Sequence, residues 1–187
     1  MKIDLTVLVK ENMWQNVFKN EQMAAFGHLG THFDVRDKTF DLENIRRPGK
    51  VVDVSHVQDR DIEITDLGDV SLEPGDFILI YTGFLKATGY GSQTYFKEHP
   101  QLSMTLIEHL LENRVSLIGI DAAGVRRGAE HTPTDQYCAD RGVFIIENLA
   151  NLDGLIKTAG CQPFTVYTFP INFGGMSGLP CRVIAEV

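Results

Sequence analysis

The chain is short of cysteine, tryptophan, basic charge and long apolar runs, and each shortage closes off a class of protein. Its three cysteines, Cys138, Cys161 and Cys181, are odd in number, widely spaced and without a C-x-x-C pair. They suggest neither a disulfide framework nor a zinc ribbon, and read as reduced, partly buried thiols. Lys and Arg number 17 against 25 Asp and Glu, a formal net charge of −8, and no basic cluster is longer than a pair. That leaves no electrostatic footprint for nucleic acid or an anionic membrane, so neither is expected as a partner. The opening MKIDLTVLVKENMWQ has an apolar run broken by Asp4 and closed by Lys10 and Glu11. It is too short and too charged for a signal peptide or spanning helix, and a cytoplasmic location is expected.

What is present is ordinary globular material. With 187 residues, 43% hydrophobic and 22% charged, the chain can bury roughly 70% of its unfolded surface without staples. No repeat, low-complexity tract or linker divides it, so one domain over residues 1–187 is expected. Branched and aromatic residues predict strands at Ile3–Val9, Val51–Val54, Phe77–Thr82, Val115–Ile120, Gly142–Ile146, Phe164–Thr168 and Arg182–Ala185. Ser103 can cap a helix reaching Asn113, with Leu106, Ile107, Leu110 and Leu111 on one stripe. A second helix is predicted near Thr134–Arg141, and a short third over NLDGLI. Helix followed twice by buried strand is an α/β signature, and the excess of strands predicts a mixed sheet.

The densest chemistry is Gly27-His28-Leu29-Gly30-Thr31-His32-Phe33-Asp34. Two imidazoles and a carboxylate suit Zn²⁺, Mn²⁺ or Fe²⁺. On a helix Asp34 would point away from the histidines, whereas on an extended chain all three share one face. A straight strand would hold His28 and His32 roughly 13 Å apart, too far for one ion, so the chain must bend, and Gly30 is placed to bend it. The alternative is two unrelated histidines near an acidic residue. Glu147 stands at the end of the apolar run Val143–Ile146, where α/β folds assemble their sites; by itself it reads first as a surface or capping carboxylate. Gly174, Gly175 and Gly178 flank Met176 and Ser177 with no helix after them, which predicts a turn near the site or an oligomer interface. Trp14 and Phe18 stand four apart, at a spacing fit for a pocket wall or for an arm packed on a neighbouring subunit.

Taken in order, Ile3-Asp4-Leu5-Thr6, H-x-G-T-H-x-D at His28–Asp34, P-G-D-F-I-L-I-Y-T-G-F from Pro74, H-P-Q-L-S from His99, L-I-G-I-D from Leu117, E-N-L-A-N-L from Glu147 and S-G-L-P-C-R-V-I-A from Ser177 resemble the metal-dependent cyclases, the kynurenine formamidase-like (arylformamidase) hydrolases. The resemblance implies a swivelling β/α/β fold, a homodimer or homotetramer, and hydrolysis of a small N-formyl or cyclic amide at one or two divalent ions, Zn or Mn. It implies metal ligation by His28, His32, Asp34 and Glu147, with Asp34 able to bridge two ions. Two departures stand out. The family continues after the aspartate as x-P-x-H, its last histidine serving acid/base chemistry, and Lys38 occupies that place here. The family also has a histidine twelve residues before the glutamate, where this chain has Asp135, with His131 four residues earlier as a displaced substitute.

An unperturbed lysine, with a pKa of about 10.4, is a poor base, although burial beside a metal would depress it. As a cation Lys38 would instead hydrogen-bond a carboxylate or oxyanion, or simply face solvent. Asp37 and His99 are further candidates for proton transfer. Asp135 in place of histidine makes a second site richer in oxygen, favouring Mn²⁺ or Mg²⁺ over Zn²⁺ there. Two functional expectations follow: a hydrolase in which metal-activated water attacks a small amide, and a diverged non-hydrolytic member, a binding protein, lyase or isomerase, favoured by the loss of the acid/base histidine.

Overall fold

Three strands with almost no polar residue, β4 (Phe77–Tyr81), β5 (Leu117–Ile120) and β6 (Phe144–Glu147), lie parallel at the centre of the sheet. Their unbroken apolar character has a simple cause, since both faces are covered. Phe77, Leu79, Leu117, Phe144 and Ile146 point to one core, and Ile78, Ile80, Ile118, Ile120 and Ile145 to another. The computed structural model of the chain describes residues 1–9, 26–160 and 162–187. Trp14, Phe18 and Cys161 lie outside the described residues.

Around that centre run β1 (Lys2–Asp4), β2 (His32–Asp34), β3 (Arg46–Asp53), β7 (Phe164–Pro170) and β8 (Gly178–Glu186). The order is β1-β8-β2-β6-β5-β4-β3-β7, and β7 also pairs with β8. Among the described residues, seven strands thus close into a mixed barrel-like ring, with β1 attached to β8. Strand β8 makes this closure possible by its length. One edge pairs with β7 over Cys181–Glu186, while the other pairs with β2 at Gly178–Pro180 and with β1 at Ile184–Glu186. The first core gathers Phe33, Leu79, Ile146, Val166 and Val183 from different walls and is the ring's interior. The fold is α/β in a single domain, with the mixed sheet that the strand count predicts.

The helices are α1 (Phe84–Thr88), α2 (Gln93–Lys97), α3 (Met104–Glu112), α4 (His131–Ala139) and α5 (Leu152–Ala159). Ser103 caps α3 as predicted, its Oγ accepting from Leu106 N at 3.0 Å, and Leu106, Ile107 and Leu110 bury against the second core. None of the described helices is long and apolar enough to cross a membrane.

Several boundaries differ from expectation, the last strand starting four residues early at Gly178, and three of the differences have a plain physical reason. The strand predicted from Val51 starts at Arg46, because Pro48 faces β4 before that pairing begins at Gly49 and its missing amide breaks no ladder there. The strand predicted over Ile3–Val9 ends at Asp4, with a single bridge further on between Thr6 and Leu149. Helix α4 starts at His131 rather than Thr134, since Pro133 in a first turn costs no hydrogen bond.

Candidate metal centre

The motif His28 to Asp34 is extended at one end and bent at the other. Phe33 enters the ring interior, so His32 and Asp34 turn to the opposite face, where β6 presents Glu147 directly across from His32. Gly30, at φ +63°, makes the bend that brings His28 back over them. Helix α4 covers the same face and contributes His131 and Asp135, one turn apart.

The resulting distances are short. His28 Nδ1 lies 3.0 Å from Asp34 Oδ1 and 3.1 Å from His32 Nε2. Glu147 reaches both sides of the cluster, with Oε2 3.5 Å from His32 Nε2 and Oε1 3.3 Å from His131 Nε2. His131 Nε2 is 3.2 Å from Asp135 Oδ2. Two sets of donors within 4.8 Å of one another result, His28-His32-Asp34 and Asp34-His131-Asp135, and Asp34 is common to both.

Each imidazole is held by its other nitrogen. His32 Nδ1–H donates to the Gly30 carbonyl (2.9 Å), His131 Nδ1–H donates to the Arg126 carbonyl (3.1 Å), and His28 Nε2 bonds Ser177 Oγ (2.8 Å). The two backbone carbonyls fix the tautomers of His32 and His131 and leave each Nε2 as a lone pair facing the cluster, the usual preparation of metal-binding histidines, while His28 presents Nδ1 to the same space. Asn148 holds the bend. It sits at φ +59°, which asparagine tolerates, and its Nδ2 donates to the Gly30 carbonyl at 2.8 Å. Ser177 reaches His28 because Gly27 and Gly178 pass so closely that a Cβ on Gly27 would meet the Gly178 carbonyl at 1.9 Å.

The carboxylates lack what the histidines have. Both oxygens of Asp34, both of Asp135 and Oε1 of Glu147 are buried with no hydrogen-bond partner among the described residues. An unsatisfied buried acceptor costs roughly 1–3 kcal/mol, and a charged one more. Burial and then the Asp34 charge push the Asp135 carboxyl up to about 9, against the pull of Arg36. Burial, with Asp34 and Asp135 adding to it, raises Glu147 well above its usual range. Burial would raise Asp34 as well, but His28, His32 and His131 reverse it and hold that carboxyl at about 2. Three imidazole nitrogens and three underused carboxylates converging at these distances fit divalent cations.

Residues 3–127 match the model of the Cyclase family. The chain belongs to the Cyclase family. The family match takes in His28, His32 and Asp34 and stops before Asp135 and Glu147. Among solved structures the chain resembles a potential metal-dependent hydrolase with cyclase activity, at 24% identity and TM-score 0.76 over 99% of this chain and 96% of that one. It resembles a predicted metal-dependent hydrolase from Bacillus stearothermophilus at 23% identity, TM-score 0.72, 99% of this chain and 97% of that one. Isatin hydrolase A from Ralstonia solanacearum follows at 21% identity, TM-score 0.70, 84% of this chain and 71% of that one. At these identities the likeness establishes the Cyclase fold. No curated protein matches the chain.

Of the residues singled out in the sequence, the structure brings His28, His32, Asp34, Asp135 and Glu147 together. It does not bring Lys38. The Lys38 ammonium pairs with Asp140 at 2.6 Å and Asp37 at 3.1 Å, and these partners raise its pKa. Its ammonium is thus engaged by carboxylates on the wall of the outer cavity that His28 also lines, rather than placed among the cluster's donors. Asp37 is exposed and tied to Lys38 and Gln136, and His99 is buried with Nδ1–H on the Pro100 carbonyl and its pKa pushed by burial down to about 4. His131 enters the cluster together with Asp135, not in place of it. The i, i+4 spacing of His131 and Asp135 was the signal for this, and it required knowing that the helix begins at His131. Asn148 and Ser177 carried no chemical signal in the sequence.

Proposed function

We propose that this Cyclase-family chain is a metal-dependent hydrolase of small amides, N-formyl or cyclic. One observation carries the reading: six donor groups, four of them buried and two half-buried, converge beside open cavities, and five of their carboxylate oxygens make no hydrogen bond among the described residues. A cavity of about 400 Å³ is lined by His28, His32, His131 and Glu147, and an outer one of about 1100 Å³ by His28, Phe40, Phe169 and Phe173. The residues that would hold ions are His28, His32 and Asp34 on one side and Asp34, His131 and Asp135 on the other, with Glu147 between. The first set suits Zn²⁺ or Mn²⁺, and the second, richer in oxygen, suits Mn²⁺ or Mg²⁺. When bound, such an ion supplies an acidified water and polarises a carbonyl.

The chain's own residues do the rest. Ser177, the Gly30 carbonyl and the Arg126 carbonyl keep the three imidazoles turned inward. Asn148, gripped by Tyr95 Oη at 2.7 Å, keeps the Gly30 bend from relaxing. The apolar walls of the outer cavity hold the body of the substrate and keep water from it. Kynurenine formamidase activity is one case within this class, and a dimeric or tetrameric assembly in the cytoplasm belongs to the same proposal.

Metal-reconstituted protein assayed against N-formylkynurenine and a panel of cyclic amides including isatin tests the reading. Turnover that is lost in Asp34→Asn is expected. Stoichiometric metal without hydrolysis of any amide would overturn it and favour the non-hydrolytic alternative.

A further inference from the structure

Arg36 stands at the junction of the two cavities; it and His28 line both. Every other feature of the residue is hard to explain by packing. Its backbone is at φ +57°, in the left-handed region, which costs a residue with a Cβ about 1 kcal/mol or more. The conformation is enforced by the Ser177 carbonyl, which accepts from both Val35 N and Arg36 N at 3.0 Å. Strain that the surroundings impose in this way is commonly kept at functional sites.

The guanidinium is also unspent. Arg36 Nε is buried and has no hydrogen-bond partner, and no carboxylate among the described residues lies within ion-pair distance of Arg36. Lys38, Arg60, Lys86, Arg126 and Arg182 by contrast all have acidic partners. Five donors in a rigid fork, partly desolvated and pointed along a cavity wall, are what recognition of a carboxylate requires.

We propose that Arg36 forms an anion-binding subsite, so that the preferred substrate carries a carboxylate close to its scissile amide. The inference rests on the hydrolase reading for the word substrate, but the subsite itself does not. The amide carbonyl would face the cluster, the apolar body would lie against Phe40, Phe169 and Phe173, and the anion would sit between them at Arg36. An ortho-carboxylated aromatic amide has this arrangement of groups.

The test uses binding as well as turnover. Calorimetry on metal-loaded protein compares two ligands that cannot be hydrolysed, 2-acetylbenzoate and its neutral counterpart acetophenone. The variants are Arg36→Asn, which suits the left-handed backbone, and Arg36→Lys, with thermal melts to show that both fold. We expect native protein to prefer the anion by about tenfold or more, Arg36→Asn to abolish the preference and Arg36→Lys to keep part of it. No preference in native protein, or a preference that survives Arg36→Asn, would overturn the subsite. Hydrolysis of N-formylanthranilate and formanilide is measured alongside. An Arg36-dependent preference with neither amide cleaved would keep the subsite and refute the hydrolase. Cleavage of both amides with a KM that Arg36→Asn leaves unmoved would keep the hydrolase and refute the subsite.

Discussion

His131 Nε2 and Asp135 Oδ2 lie 3.2 Å apart on successive turns of α4, and both face Asp34, which the first donor set also uses. The second set can therefore be removed without touching His28 or His32. Asp135→Asn should lower the metal content at saturation, measured by plasma emission, while leaving the first ion in place. Affinity for the ion lost should fall by at least about 10–100-fold, the loss that even an orienting partner of a ligand produces.

Gly124 makes room for the His131 ring. A Cβ there would come within 2.6 Å of His131 Cε1 and Nδ1, and the backbone, at φ +115°, disfavours any side chain. Gly124→Ala should displace the ring and break its bond to the Arg126 carbonyl, weakening metal binding by about 10–100-fold. The melting temperature should drop by only a few degrees, about 2–4 °C for each kcal/mol in a chain of this size.

Binding of an ion should release protons and grow tighter with pH. In the metal-free protein Asp135 is raised to about 9 and Glu147 well above its usual range, both mainly by burial, so at neutral pH they hold protons that a cation must expel. The sign for stability is opposite. A carboxyl whose folded pKa is raised contributes stability that is present below the unfolded value, about 3.9, and lost as pH climbs through the folded one. Melts in chelator should therefore decline toward about pH 9, and Asp135→Asn should flatten that decline.

Away from the site, Asp66 binds Arg60 through two hydrogen bonds of 2.7 and 2.8 Å and accepts from Glu63 N at 2.8 Å. Burial opposes ionisation only weakly against the Arg60 guanidinium, which holds the carboxyl at about 2. Its contribution to stability is present above the ordinary value of 3.8 and disappears as pH falls through about 2. Asp66→Asn should cost about 1 kcal/mol at neutral pH, in line with a lost cap and surface pair, and the two proteins should converge in acid denaturation.

Much of the fold was legible in the sequence. The central strands and the Ser103-capped helix are dictated by local pattern, apolar runs at one period and a stripe at another. The ring closure was not, because the long β8 joins its sequence neighbour β7 to β1 and β2, which lie far off in the chain and carry no signal toward it. The site divides in the same way. His28, His32 and Asp34 declared themselves by spacing and by Gly30, whereas Lys38 was placed by family register alone and its ammonium pairs with Asp140. Arg36, two residues earlier, was invisible because its interest lies in a backbone angle and an absent partner.

Thermal melts of native protein and Glu147→Gln, each with chelator and with excess Zn²⁺ or Mn²⁺, decide whether the cluster is a metal site. Glutamine matches the protonated glutamate that burial imposes, so in chelator the two should melt together. With metal the native protein should gain about 5–10 °C, the shift expected near 100-fold excess over Kd, and Glu147→Gln far less. Melting temperatures that no divalent ion moves, or that move equally in both proteins, would show that the cluster does not bind metal through Glu147.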